Sequence, residues 1–324
     1  MRVVALVPGS IDNQILFFAT LDDLKRYYPD AQIDVIVEPQ SKAAYRVSKS
    51  VHDVLTFDYK DRNSLADWGN LVGMIRDREY DVAIIVGQSW WVGLLMWLTG
   101  IPTRIGYQGQ GAVFLTNPIP PNLSEYVAKM YHNLLKPLKI NTPCPALSVN
   151  VPKVDIEWAQ AEQKRLGVNE TGFILINAGE GSPDTTYPVE NWQQIIADCQ
   201  QKQPDLPVVV IKEANNEPLV RSLLEHCQNI KVTSPDDIGK LTAIIAGASL
   251  MVSVENSFLQ LSIAVETYTI TLLDSIDSEK LLPISEKVLA ITSSTGKIAD
   301  ISPQIVLEKI WGGLSINFRF WILD

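Results

Sequence analysis

The chain has 324 residues, 46% of them hydrophobic and 20% charged, and a formal net charge of −10. The length suits two hydrophobic cores better than one, and the composition excludes a disordered chain. The acidic balance repels nucleic-acid backbones, so no nucleic acid is expected among the partners.

Strand and helix patterns alternate along the first half. Val3–Val7 reads as a buried parallel strand, followed by a polar turn over 8–13. Ile15, Phe18, Leu21 and Leu24 recur at helical spacing and predict a helix over 15–28. Strands are expected at 33–37, 54–57, 82–86 and 104–107, with helices at 43–48, 65–78, 88–99 and 124–138. This alternation implies parallel strands with helical crossovers, a doubly wound sheet. Proline-marked extended chain at Pro143, Pro145 and Pro152 marks a boundary near 150.

The second half repeats the pattern. A helix over 155–166 ends at Gly167. Strands are expected at 173–177, 208–211, 230–232, 250–254 and 269–273, the last taken as the final core strand. Helices are expected at 191–201, 217–227, 238–246 and 258–264. The stretch from Phe173 to Trp192 is the most telling. An apolar strand meets a small-residue loop (Ala178-Gly-Glu-Gly-Ser182), and a helix pattern then opens. Such a corner leaves backbone N–H groups free at a helix start, where anions are favoured. The expected domains are therefore 1–150 and 151–310, with 311–324 as an apolar tail. Both domains are Rossmann-like, facing a central cleft.

Cys144, Cys199 and Cys227 are too few and too scattered for a disulfide framework or a zinc cluster, and read as reduced thiols. The N-terminus reads as a strand rather than a signal segment. The longest apolar run, Trp90 to Ile101, is about twelve residues, short of the eighteen or so that span a bilayer. The expected location is cytoplasmic, at most peripheral at the inner face of the membrane. Three histidines without a Ser or Cys constellation give no hydrolase triad.

Several segments together resemble glycosyltransferase family 9, the lipopolysaccharide heptosyltransferase group of GT-B fold. They are Ser10-Ile-Asp-Asn-Gln-Ile15 with Thr20-Leu-Asp-Asp-Leu-Lys25; Tyr80-Asp-Val-Ala-Ile84 with Leu98-Thr-Gly-Ile-Pro-Thr-Arg-Ile-Gly106; Asn177-Ala-Gly-Glu-Gly-Ser-Pro183 with Asn191-Trp192; and Val254-Glu-Asn-Ser-Phe-Leu-Gln260. The resemblance implies a nucleotide-sugar donor on the second domain, a lipid-linked or glycan acceptor on the first, and inverting transfer. It implies no metal and no cofactor beyond the donor. The donor residues it points to are Asn177, Gly179, Gly181, Ser182, Thr185, Thr186, Glu217, Glu255, Asn256, Ser257 and Gln260.

The chain departs from the family pattern at the reaction centre. Asn13 stands where the family has a carboxylate that serves as general base, and an amide cannot take a proton at neutral pH. Asp12, one residue earlier, is the substitute on offer; both residues also suit a helix cap or Asx-turn. Thr185-Thr186 replaces a lysine, Gln260 a histidine, and Ser257 a glycine. Two readings follow: an active glycosyltransferase with altered chemistry, or a catalytically degenerate scaffold subunit. A nucleotide-sugar epimerase, which needs a carboxylate pair, is a weaker third. Trp90, Trp91 and Trp97 on one apolar helix read first as core packing, and otherwise as a surface for a lipid-linked acceptor, membrane or protein partner. The apolar tail is a second place for a partner.

Overall fold

The structure, a computed structural model, describes residues 1–59, 63–179 and 186–321. It divides into two compact units, Met1–Asn150 and Val151–Asp324.

In the N-terminal unit the elements are β1 (Arg2–Val7), α1 (Ile11–Tyr27), β2 (Gln32–Val37), β3 (Asp53–Thr56), α2 (Leu65–Asp77), β4 (Val82–Ile85), α3 (Trp90–Leu98), β5 (Thr103–Tyr107), β6 (Asn117–Ile119) and α4 (Val127–His132). The strands form one sheet in the order β3-β2-β1-β4-β5-β6, every pairing parallel. Ala5 lies in register with Val35 on one side and Ile84 on the other. Val3–Val7 are all fully buried, as a central strand covered on both faces must be. Val4 and Leu6 pack with Leu71 and Ile75 of α2 and Leu95 and Met96 of α3. β6 carries Pro118, which an edge strand tolerates because one side of its ladder is unpaired.

In the C-terminal unit the elements are α5 (Lys153–Leu166), β7 (Ile174–Asn177), α6 (Val189–Lys202), β8 (Val208–Ile211), α7 (Glu217–His226), β9 (Lys231–Thr233), α8 (Ile238–Ala246), β10 (Leu250–Val254), α9 (Ser257–Ala264), β11 (Thr269–Leu273), β12 (Val288–Thr292) and α10 (Pro303–Trp321). The order is β12-β11-β10-β7-β8-β9, again all parallel. Trp192, Ile195 and Ile196 of α6 and Val306 and Ile310 of α10 share a core with Ile176, Val210 and Val252 of the sheet. Gly167 ends α5 in the left-handed conformation, at φ 66°.

Four expectations change. α1 starts at Ile11, so Asp12 and Asn13 lie in its first turn and not in a loop. The amide of Gln14 makes this start possible by reaching back to the carbonyls of Val7, at 3.0 Å, and Gly9, at 3.3 Å. β11 is not the last strand, because β12 pairs beyond it. The helix expected over 124–138 is a short α4 followed by a 3-10 turn over Asn133–Leu138. That turn contains Pro137, which supplies no backbone donor. Finally, α10 runs unbroken through Trp311 to Trp321, so no separate tail begins at 311. Trp311 donates its indole N–H to Asp198 of α6 at 2.8 Å.

Candidate functional site

In each sheet the chain leaves the carboxyl ends of the two central strands in opposite directions, so the connections diverge from a shared point. Open parallel sheets bind ligands at such a switch point. In the N-terminal unit it lies between β1 and β4, and in the C-terminal unit between β7 and β10.

The loop after β1 is a braced structure. Gly9 has φ +114°, and a Cβ there would meet Asn13 Nδ2 at 2.4 Å, so both backbone and space require glycine. The Gly9 N–H donates to Glu38, at 3.3 Å, and its carbonyl accepts from Ser41 Oγ, at 2.6 Å. Tyr45, buried, donates to Gln14 Oε1 at 2.8 Å, and burial pushes its phenol up. The facing loop after β4 holds Gly87 at φ +123°, whose added Cβ would lie 3.8 Å from the ring of Pro8.

Asp12 and Asn13 are both half-buried at the start of α1 beside this loop. Asn13 accepts from Tyr131 of α4 at 3.2 Å and donates to Ser10 Oγ at 3.4 Å. Its amide joins two helices. Asp12 is the acidic residue of the first helical turn, where negative charge complements the helix dipole.

In the C-terminal unit Asn177 is fully buried at the end of β7. It donates to Ser253 of β10, at 2.9 Å, and accepts from the N–H of Gly179, at 3.2 Å. Gly179 takes φ +95° and turns the chain toward the loop. Gly181, Ser182 and Thr185 lie outside the described residues. Thr186 is half-buried where the description resumes. Tyr187 and Trp192 anchor that side edge to face, at 5.1 Å, and the Tyr187 phenol donates to Ile301 O at 2.9 Å. Across the switch point, Asn256 caps α9 by accepting from the N–H of Phe258 at 3.1 Å. Glu255 and Ser257 flank it, half-buried. Gln260 is 1% exposed and donates to Leu281 O at 3.0 Å.

The structure thus groups Asn177, Gly179, Glu255, Asn256 and Ser257 at one switch point. Glu217 stands apart at the start of α7, exposed and paired with Lys212 at 3.4 Å and Arg221 at 3.5 Å. Exposed pairs of this kind contribute little to stability. Sequence reasoning missed three residues that shape these loops. Tyr131 holds Asn13. Ser253 holds Asn177 and, as a hydroxyl within the run Leu-Met-Val-Ser-Val, carried a readable signal. Asn216, fully buried, accepts from the N–H of Glu213 at 2.8 Å; its position before Glu217-Pro218 was the signal of a helix start.

The tryptophan helix corrects another expectation. α3 buries Gly93, Leu95 and Met96, yet Trp91 is 64% and Trp97 53% exposed. They are not core residues of their unit. Among the described residues no helix is long and apolar enough to cross a membrane. Nor does any group of three or more His, Cys, Asp or Glu among them stand ready to hold a metal ion.

Paired doubly wound units with these switch points define a two-domain, nucleotide-fold protein of GT-B type. Solved structures with this fold include a glycosyl transferase family 9 protein from Veillonella parvula DSM 2008, with a TM-score of 0.83 at 16% identity, over 97% of each chain. Lipopolysaccharide heptosyltransferase 3 of Escherichia coli is 20% identical over 82% of this chain and 81% of its own. The photosynthetic NDH subunit of subcomplex B 1, chloroplastic, of Arabidopsis thaliana is 25% identical over 93% of this chain and 71% of its own. The family model described as glycosyltransferase family 9 (heptosyltransferase) matches residues 68–310, and the chain belongs to that family.

Proposed function

We propose that the chain transfers a sugar, with inversion, from a nucleotide-sugar donor to a lipid-linked or envelope glycan acceptor. In this reading the donor sits at the β7/β10 switch point and the acceptor at the β1/β4 switch point. Asp12 takes the proton from the acceptor hydroxyl, a role that requires a carboxylate. The observation that carries the reading is the division of labour at the start of α1. The Asn13 amide is spent on Tyr131 and Ser10, and its neighbour Asp12 supplies the carboxylate. Backbone N–H groups at the start of α9 hold the departing diphosphate. The reaction runs at the cytoplasmic face and needs no metal.

The test is a nucleotide panel followed by turnover. ADP, UDP or GDP raises the melting temperature of the wild-type chain, and its sugar conjugate is consumed. Asp12→Asn keeps nucleotide binding and loses about 10²–10⁴-fold in turnover, the typical weight of a general base. Full turnover in Asp12→Asn removes the proposal.

A second reading is a non-catalytic subunit of a larger assembly. Neutral amides at Asn13 and Gln260 support it, as does a relative that is named as a subunit. Here none of the nucleotides shifts the melting temperature.

A further inference from the structure

α2 and α3 pack side by side on the sheet, and each carries a second, largely apolar stripe along its flank, of which Trp68 and Val72 also touch the core. On α2 the stripe is Leu65, Trp68, Gly69, Val72 and Arg76, at helical spacing. On α3 it is Trp91, Leu94 and Leu98, at the same spacing. Between them lies a trough of 780 Å³. Leu65 is 90%, Trp91 64% and Leu98 51% exposed at its walls. Arg76 is the single charged residue among the described residues that line it. Its stripe runs eleven residues from Leu65, about 16 Å of helix.

We infer that this trough is a docking groove for an amphipathic helix of another protein, with an acidic residue on its apolar face that meets Arg76. Two parallel rows of side chains leave a groove into which the ridge of a third helix fits. The lone cation selects a carboxylate at one end, and the apolar remainder rejects charge elsewhere. A flat bilayer would touch the walls without filling the trough, and the net charge of −10 opposes anionic lipid. A second copy in a two-fold dimer would present the same trough, groove to groove, with no ridge to insert. The groove belongs to the N-terminal unit alone and is independent of whether sugar transfer occurs.

The experiment titrates the full chain, by calorimetry without any nucleotide, with a synthetic amphipathic peptide of about 14 residues. The peptide carries leucines at i, i+3, i+4 and i+7 and one glutamate on that face. A matched peptide has lysine for glutamate. The glutamate peptide binds, and the lysine peptide binds at least about tenfold more weakly. Arg76→Glu inverts that order. Leu98→Glu, at an exposed position, keeps the wild-type melting temperature and loses binding. Equal affinity for the two peptides, no binding by either, or binding that survives Leu98→Glu overturns the inference. So does a Leu98-dependent dimer in sedimentation, or Leu98-dependent flotation with phosphatidylcholine vesicles, since each names a different occupant.

Discussion

The phenol of Tyr131 in α4 donates to the amide oxygen of Asn13 in α1 across 3.2 Å. The bond ties the helix that follows the first strand to the helix that closes the N-terminal unit. Burial pushes the Tyr131 phenol up to about 12, so it remains a donor throughout the neutral range. The other end of the amide donates to Ser10 Oγ. A carboxylate at position 13 would keep both contacts, because the serine hydroxyl rotates to donate. Asn13→Asp is therefore expected to fold with a stability change within about 1 kcal/mol, whereas Tyr131→Phe, which strips the donor, costs about 1 kcal/mol. Urea denaturation measures both. Failure of Asn13→Asp to fold would show that the amide hydrogens are indispensable.

Gly9 faces the same residue from the loop. Its positive φ acts against substitution, and so does Asn13 Nδ2, which would stand 2.4 Å from an added Cβ. Gly9→Ala is expected to lose about 2–4 kcal/mol. Adding Asn13→Ala removes the clash but not the backbone strain, so the double variant recovers part of the loss. Full additivity in a double-mutant cycle would contradict this contact.

These relationships mark where the sequence stops being readable. Parallel strands such as Val208–Ile211 and Leu250–Val254 stand out because burial on both faces demands an unbroken apolar run. β6 holds three residues, one of them a proline, and β12 is a partly exposed edge strand, so neither shows that signature. The start of α1 was hidden because a buried glutamine, not apolar periodicity, secures it. At the candidate site, residue types and their placement near helix starts were legible. Which amide was already spent on a distant partner was not: Tyr131 lies 118 residues from Asn13. The exposure of Trp91 was illegible for the same reason, since an apolar helix reads alike whether its outer face is covered or bare.

A buried acid gives the N-terminal unit a pH dependence. Burial alone would raise the carboxyl of Asp23. The Thr142 hydroxyl at 2.6 Å, the His132 imidazole at 2.7 Å and the Arg26 guanidinium outweigh it, and hold the group below the ordinary Asp value of 3.8. A depressed folded-state value means that the charged form stabilises the fold above the unfolded value. That contribution is lost as pH falls below about 4. Thr142→Val removes one donor to the carboxylate and is expected to cost about 1.5–3 kcal/mol at pH 7. The gap between wild type and variant should narrow as pH falls through the acid range. A gap that stays constant from pH 7 to pH 3 would show that the hydroxyl acts on packing and not on the charge.

Asn177 plays the corresponding role in the C-terminal unit. Its side chain holds β10 through Ser253 and the loop through Gly179, with no exposed surface. Asn177→Ala leaves the Gly179 N–H without its acceptor and is expected to cost about 2–3 kcal/mol. Ser253→Ala spares the Gly179 bond but removes the first bond together with the one its hydroxyl donates to Val254 O at 2.6 Å, and costs about 1–2 kcal/mol. In a double-mutant cycle the pair should couple by about 1 kcal/mol, because both singles remove the same bond. Under the glycosyl-transfer reading, the two variants also separate in donor binding. Ser253→Ala leaves the Gly179 turn anchored and binds nucleotide as wild type does. Asn177→Ala frees that turn and binds several-fold more weakly, by about 1 kcal/mol. Equal loss in both variants would move the anchor of the phosphate loop from Asn177 to the strand pairing of β7 with β10.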